Sequence, residues 1–367
     1  MELRKNILRR ELQRQLELAR DLDKNQDPAA SLHYIKAANI YKKLADYYPG
    51  YADVHKIAES YERYGGNIQK QEKTDDLESV IDTLLITQKP ITTWDDIGGL
   101  EQAKNEIKET IILPFIHNKP DFVRSSKTIL FYGPPGTGKT MLAKASSNVL
   151  SATFFEARLS SILSKYFGES SKLVSILFRR AREMQPSLIF TDELDSIAFS
   201  RGADMNEATR RVLSQLLTEI DGFNTSQKDK VIIIGATNKP WDLDEAVISR
   251  FQKKIYVPLP DEVARTSIFN INLTGAQLDF DIKELARRSH AYSGRDISAV
   301  CQEAIMLMIN EQNPGLGDLT THSLGTYSLK YRKLRLSDFE HAFGKVKSSV
   351  DSTKLSKYDE WKNEFGG

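Results

Sequence analysis

Eight consecutive residues, Gly133-Pro134-Pro135-Gly136-Thr137-Gly138-Lys139-Thr140, carry the strongest chemical signal in this chain. They fit G-x-x-x-x-G-K-[ST], in which glycines let successive backbone N–H groups curl around a phosphate at a helix N-terminus. In that pattern Lys139 neutralises the β- and γ-phosphates and the Thr140 hydroxyl ligates Mg²⁺. Asp192-Glu193 follows the apolar run Leu188-Ile189-Phe190 and Thr191. A carboxylate at the end of a buried strand can hold Mg²⁺ through its water shell, which suits Asp192, and Glu193 can then act as base toward an attacking water. Another apolar run, Val231-Ile232-Ile233-Ile234, leads to Ala236-Thr237-Asn238, whose amide can hydrogen-bond both the water and a γ-phosphate. Taken alone, an acidic pair or an asparagine after a strand is an ordinary turn. Downstream of a phosphate loop, the set points to nucleoside triphosphate hydrolysis.

Such groups need strands that end beside one another. Thr128–Tyr132 supplies a strand before the loop, and Met141, Leu142 and Ala145 begin a helical pattern after it. The runs Thr153-Phe154-Phe155, Leu188–Phe190 and Val231–Ile234 alternate with helical stretches, which predicts a parallel α/β sheet. From about Asp261 the pattern is helical again.

Residues 1 to about 71 read as three amphipathic helices. Leu8, Leu12, Leu16, Ala19 and Leu22 share one face of the first. Asp27-Pro28 caps the second, where Ala30, Tyr34, Ala37, Tyr41, Leu44 and Tyr48 recur at four- and three-residue spacing. Val54, Ile57, Tyr61, Tyr64 and Ile68 line the third, so a small antiparallel bundle is expected. Residues 72–91 are polar and charged and read as a linker.

Composition narrows the partners. The 367 residues carry 51 basic and 50 acidic side chains, a net charge of +1, which gives no global reason to expect nucleic acid. The one cysteine, Cys301, excludes an internal disulfide and a thiolate metal site within the chain, and sits where a small buried hydrophobe belongs. No run approaches the roughly 18 apolar residues of a membrane span, and the charged N-terminus has no signal-peptide core. A cytoplasmic protein that reaches membranes only through partners is the expectation.

From about Trp94 to Gly366 the chain resembles the AAA+ ATPases of the meiotic clade. Within that group the pattern is most similar to the vacuolar protein sorting ATPases that disassemble ESCRT-III polymers; katanin, spastin and fidgetin are close relatives of these. The resemblance implies an α/β P-loop domain over residues 92–260, with helices on both faces of its sheet. A helical lid over 261–350 and a C-terminal helix over 351–367 that packs back onto the ATPase domain follow. Trp94–Leu100 resembles the segment that leads into the fold, so Asp96, Ile97, Gly98, Met141 and Gly294 are implied to join the phosphate loop in holding ATP. Asp192-Glu193 and Asn238 take the Walker B and sensor 1 positions, and Tyr292-Ser293-Gly294-Arg295-Asp296 the start of the sensor 2 helix.

Other roles come from the resemblance alone. Lys165-Tyr166-Phe167 resembles the first pore loop of hexameric translocases, where an aromatic side chain grips an extended polypeptide. The stretch Ser200–Glu207 resembles the second. Arg250, in Ala246-Val247-Ile248-Ser249-Arg250-Phe251, matches a finger that reaches the neighbouring subunit's γ-phosphate. Ser249 stands where relatives carry a second arginine and cannot supply a bidentate cationic clamp, for which Lys253 or Lys254 could compensate. Eukaryotic sorting ATPases insert a β-domain in the lid, whereas Asn313 to Leu336 here is a short Gly-containing connection.

The N-terminal helices resemble an MIT (microtubule-interacting and trafficking) domain, which implies binding of ESCRT-III-like C-terminal tails in a groove between helices. Together these features imply an ATP- and Mg²⁺-dependent hexamer that pulls ESCRT-III-like proteins through its pore. The alternative is a microtubule-severing enzyme with the same engine. A nucleic-acid motor fits poorly with the balanced charge, and a non-hydrolysing scaffold fits poorly with intact Lys139, Glu193 and Asn238.

Overall fold

The computed structural model describes residues 2–45, 55–66, 90–116, 120, 122–123, 125–165, 169–197, 207–225, 229–316 and 327–365. The chain divides into two compact units, residues 1–83 and 84–367.

In the first unit α1 spans Glu2–Lys24, α2 Ala30–Ala45 and α3 residues 55–66. Asp27 caps the second helix by accepting a 2.9 Å hydrogen bond from the Ala29 N–H. Ala19, Ala30, Ala37, Ala38 and Ala58 are buried, and such small side chains let helix backbones approach closely. Leu12 and Leu44 fill one end of the seam. Tyr61 stacks on Tyr34 (5.8 Å between centroids) and on Tyr41 (5.9 Å). The Tyr34 and Tyr64 hydroxyls both donate to Asp23 Oδ2, at 3.1 and 3.0 Å. Three packed helices form as predicted, with Tyr34 buried and Tyr61 half-buried at their seam, but on the third helix Ile57 and Tyr64 of the predicted face are exposed, and the small Ala58 and Gly65 are buried instead because they let the helices approach closely. Tyr48, Val54, Ile68 and most of the 72–91 stretch lie outside the described residues.

In the second unit five parallel strands lie in the order β2-β3-β4-β1-β5. They are β1 (Thr128–Tyr132), β2 (Thr153–Ala157), β3 (Ser187–Thr191), β4 (Val231–Thr237) and β5 (Lys253–Tyr256). Every residue of β1, β3 and β4 is buried, because a parallel sheet is covered on both faces. Alternate residues (Ile129 and Phe131; Leu188 and Phe190; Ile232 and Ile234) meet α4 (Glu101–Ile112) and α5 (Lys139–Val149). The intervening Leu130, Ile189 and Ile233 point to the opposite face, where α7 (Ser170–Glu183) lies on β3 and packs with α8 (Glu207–Thr225).

The lid has its own core. Phe269, Leu285, Ile297, Val300, Ala304 and Phe339 cluster among α10 (Glu262–Asn272), α11 (Lys283–Arg288), α12 (Gly294–Gln312) and α13 (Leu336–Lys345). Two short helices, α6 (Leu159–Lys165) after β2 and α9 (Glu245–Ile248) before β5, also belong to the second unit. Cys301 belongs to the lid core, and burial pushes its thiol up to about 12, so it is an inert small hydrophobe. Of the Asn313–Leu336 connection, residues 317–326 lie outside the described residues.

The last helix, α14 (Leu355–Phe365), returns to the sheet as expected. Its Trp361 packs on Tyr132 at 4.4 Å, and its Tyr358 lies between Trp241 (5.0 Å) and Tyr256 (6.0 Å). Among the described residues no helix is long and apolar enough to cross a membrane.

Candidate active site

The site forms where the strands end, on the carboxyl edge of the sheet that open α/β folds use for ligands. β1 runs between β4 and β5 and stops at Tyr132. Gly133 follows with φ +147°, and a Cβ there would sit 2.2 Å from the Val257 carbonyl oxygen. Gly136 has φ +77°, and its Cβ would meet Ser293 Oγ at 2.5 Å. Only glycine allows the loop to curl this tightly against β5 and the lid. The Thr137 hydroxyl closes it with a 2.9 Å bond to the Pro134 carbonyl.

Lys139 opens α5 with its side chain folded into the loop, donating to the Gly133 and Pro134 carbonyls, each at 2.8 Å. Burial pushes its ammonium down to about 8, against the raising influence of Asp192 and Asp195, while Arg295 adds to the lowering. A phosphate group is the anion that would relieve this.

The two residues expected to hold a metal already touch. Thr140 Oγ1 donates to Asp192 Oδ2 at 3.1 Å. Hydroxyl and carboxylate are hard oxygen donors of the kind Mg²⁺ takes, so the pair fits the ion implied by the loop. Glu193 adopts the left-handed conformation (φ 53°, ψ 47°), and its N–H donates to Asp192 Oδ1 at 2.9 Å. For a non-glycine residue that conformation costs about 1–2 kcal/mol, and strain of this kind clusters at functional positions. At the end of β4 the Thr237 hydroxyl donates to Asp195 Oδ1 at 2.8 Å, and the Lys239 N–H donates to Thr237 Oγ1 at 3.0 Å.

The phosphate loop, Asp192, Glu193 and Asn238 border a cavity of about 440 Å³. Its sheet side is Pro135–Met141 with Asp192, Glu193 and Asn238; Asp96, Ile97, Gly98 and Leu100 form one end. The Asp96 carboxylate accepts from the Thr93 N–H (2.7 Å) and hydroxyl (3.0 Å), which hold it below the usual carboxylate range. Gly133 and Pro134 serve from behind, through the carbonyls that hold Lys139.

The lid supplies the opposite side: Ile268, Ile271 and Asn272 from α10, and Gly294, Arg295 and Ser298 from α12. Of these, sequence reasoning singled out only Gly294 as a site residue. Ile268, Ile271 and Asn272 share one helix face by their spacing, but nothing chemical distinguishes them from core positions. Arg295 belongs to the sensor 2 segment, and its N–H donates to the Gly136 carbonyl at 3.2 Å, so lid and phosphate loop are bonded directly.

Arg250 is held elsewhere. The adjoining Phe251 packs against Gly235 of β4, where a Cβ would meet its ring at 2.8 Å. The Arg250 guanidinium donates to the Ala246 carbonyl (2.8 Å) and pairs with Asp221 (3.2 Å). It does not line the cavity of its own chain. Ser249 Oγ donates to the Ala246 carbonyl at 3.1 Å, and Lys253 is paired with Glu106 at 2.6 Å. Tyr166 and Phe167 lie outside the described residues, as do the Lys165 side chain and residues 198–206.

Residues 129–259 match the model of the ATPase family associated with various cellular activities (AAA), residues 279–320 the AAA+ lid domain, and residues 311–366 the Vps4 C terminal oligomerisation domain. The chain is 41% identical over 303 residues to the A-like 1 form of the katanin p60 ATPase-containing subunit of Homo sapiens, covering 79% of this chain and 61% of that protein. The Danio rerio protein of the same name is also 41% identical, over 79% of this chain and 62% of its own length. The chain thus spans about three fifths of these relatives. Among solved structures, the crystal structure of the FIGL-1 AAA domain superposes with a TM-score of 0.69 at 35% identity, over 80% of this chain and 96% of that one. The same domain in complex with ADP gives 0.69 at 34%. With the family model lying over the phosphate loop, the acidic pair and Asn238, and a solved AAA domain matched along 96% of its length, this chain belongs to the AAA family of ATPases.

Proposed function

We propose that this protein hydrolyses ATP with Mg²⁺ in a homo-oligomeric ring and uses the turnover to take apart a protein filament. One observation carries the hydrolytic part: Lys139, the Thr140–Asp192 contact, Glu193 and Asn238 converge on a single cavity. Thr140 and, through water, Asp192 would hold Mg²⁺, which would supply positive charge to offset the charge that develops in the transition state. Lys139 leaves its loop carbonyls for the phosphates, and Glu193 accepts the proton of the attacking water. Asn238 orients that water. Arg250, outside its own cavity, is placed in a neighbour's site in this reading, which is how the ring couples one protomer to the next.

The match of residues 311–366 to an oligomerisation domain supports the ring. The mechanical output is assigned to Lys165, Tyr166 and Phe167 as a pore loop. For the substrate, the katanin-named relatives and the FIGL-1 domain favour a filament of the microtubule-severing type. The same 311–366 match carries the Vps4 name and keeps ESCRT-III-like polymers as the second reading, with the N-terminal bundle as an MIT-like receptor for their tails. A cytoplasmic location with recruitment through partners belongs to this proposal.

Phosphate release from Mg²⁺·ATP tests the engine, and native mass of the Glu193→Gln variant with ATP tests the ring. A particle of about six protomers is expected. A monomer that persists at high concentration sinks the ring mechanism. Co-sedimentation with microtubules, set against binding to ESCRT-III tail peptides, separates the two substrates.

A further inference from the structure

The C-terminal helix does more than cover apolar surface. Tyr358 of α14 is buried, and its hydroxyl donates a 2.6 Å hydrogen bond to the Asn238 carbonyl, 120 residues upstream. The next atoms along the chain are also tethered. The Lys239 N–H donates to Thr237 Oγ1 at 3.0 Å, and that hydroxyl is fixed by Asp195 at 2.8 Å. The Asn238 carbonyl and the Lys239 N–H belong to one peptide unit, which is planar and projects them from opposite edges. Tethers on both edges stop the plane from rotating. They thereby set ψ of Asn238, and with it the path of the chain past the residue that lines the nucleotide cavity.

One tether, Thr237, comes from the ATPase strand itself. The other comes from the far end of the chain. The rings on either side of Tyr358, Trp241 and Tyr256, leave the hydroxyl little freedom, and burial pushes it up to about 12, so it stays a donor at neutral pH. One helical turn further on, Trp361 packs on Tyr132, the residue before the phosphate loop. The helix therefore touches the sheet at two strand ends that carry site residues.

We infer that Tyr358 is a positioning residue for ATP hydrolysis, its hydroxyl locking the Asn238 peptide so that the Asn238 amide meets the attacking water. This rests on the role proposed for Asn238 in hydrolysis. It makes docking of the C-terminal helix a condition for turnover rather than for nucleotide binding.

Tyr358→Phe deletes one oxygen and keeps the ring. In the whole 367-residue chain, kcat should fall roughly 5- to 10-fold, the worth of one net hydrogen bond, while ATP Kd and ATP-dependent assembly stay at wild-type values and the thermal midpoint drops by only about 2–4 °C. Thr237→Val, which releases the opposite edge of the same peptide, should give the same split. Tyr256→Phe, on the neighbouring ring, should leave kcat unchanged. In an Asn238→Ala background Tyr358→Phe should add nothing, because the lost contact acts only through Asn238. An unchanged kcat in Tyr358→Phe overturns the inference, as does a parallel loss of Kd or assembly, or a fully additive loss on Asn238→Ala. If Asn238→Ala itself turns over at the wild-type rate, the active-site assignment fails instead; if it is crippled while Tyr358→Phe is silent, only the positioning role fails.

Discussion

The two walls of the nucleotide cavity are built on different principles. The sheet wall consists of a loop and strand ends whose polar groups are hydrogen-bonded to one another: Lys139 to its loop, Thr140 to Asp192, Thr237 to Asp195. The lid wall consists of helix faces and close backbone approaches, with the 3.2 Å bond from the Arg295 N–H to the Gly136 carbonyl as its direct link to the loop. The first wall holds the groups proposed to react. The second holds surface that fits. A rigid wall preorganises charge, whereas a wall on a separately cored lid can follow the nucleotide as it changes.

The largest expected effect comes from a residue of neither wall. Arg250→Ala should lower ATP turnover by about 10³-fold or more, the scale of an arginine finger, with ATP binding by the isolated chain intact. Substantial residual turnover would show that the cavity needs no third wall from a neighbour, and that Arg250 serves its own chain, through Ala246 and Asp221 among others.

Gly98→Ala probes the lid wall. The added methyl would lie 2.7 Å from Ile268 Cγ1 and 2.8 Å from the Ile268 backbone nitrogen, so α10 must shift. Overpacking of that size costs about 1–3 kcal/mol, and ATP Kd should weaken about tenfold while kcat at saturating ATP is kept. A kcat defect with normal Kd would erase the division of labour between the walls.

The smallest effect is a proton. In the unfolded chain Lys139 keeps its proton to 10.5, whereas in the empty fold it releases it near 8. Between those values the unfolded state binds more protons, so raising the pH stabilises the empty fold relative to neutral pH. A triphosphate favours the charged ammonium, so binding takes up a proton in that window and affinity falls as pH climbs past 8. Calorimetry in buffers of different ionisation enthalpy should show uptake near zero at about pH 7, approaching one proton at about pH 9. Flat uptake would mean that the sheet wall does not desolvate its lysine.

The sheet wall and Gly294 of the lid were legible and the α10 part of the lid wall was not, for one physical reason. A phosphate loop, an acidic pair and an asparagine each follow a short apolar run, so strand and turn are read from adjacent residues. Ile268 and Ile271 are apolar positions on a helix, and their pattern is the same whether that face meets a core or a ligand. The N-terminal bundle was legible as helices from its alanine and tyrosine spacing, because helical periodicity is local.

By itself, the sequence determined the phosphate loop, the parallel α/β module, the helical lid, the N-terminal helices and the candidates for the reacting groups. Each is encoded within a few turns of chain. Only the tertiary structure decided that α10 closes the cavity, that Arg250 lies outside the lining of its own site, and that Tyr358 grips Asn238. Those facts join residues far apart in the chain, and which distant surfaces meet is settled by packing the cores rather than by any local pattern.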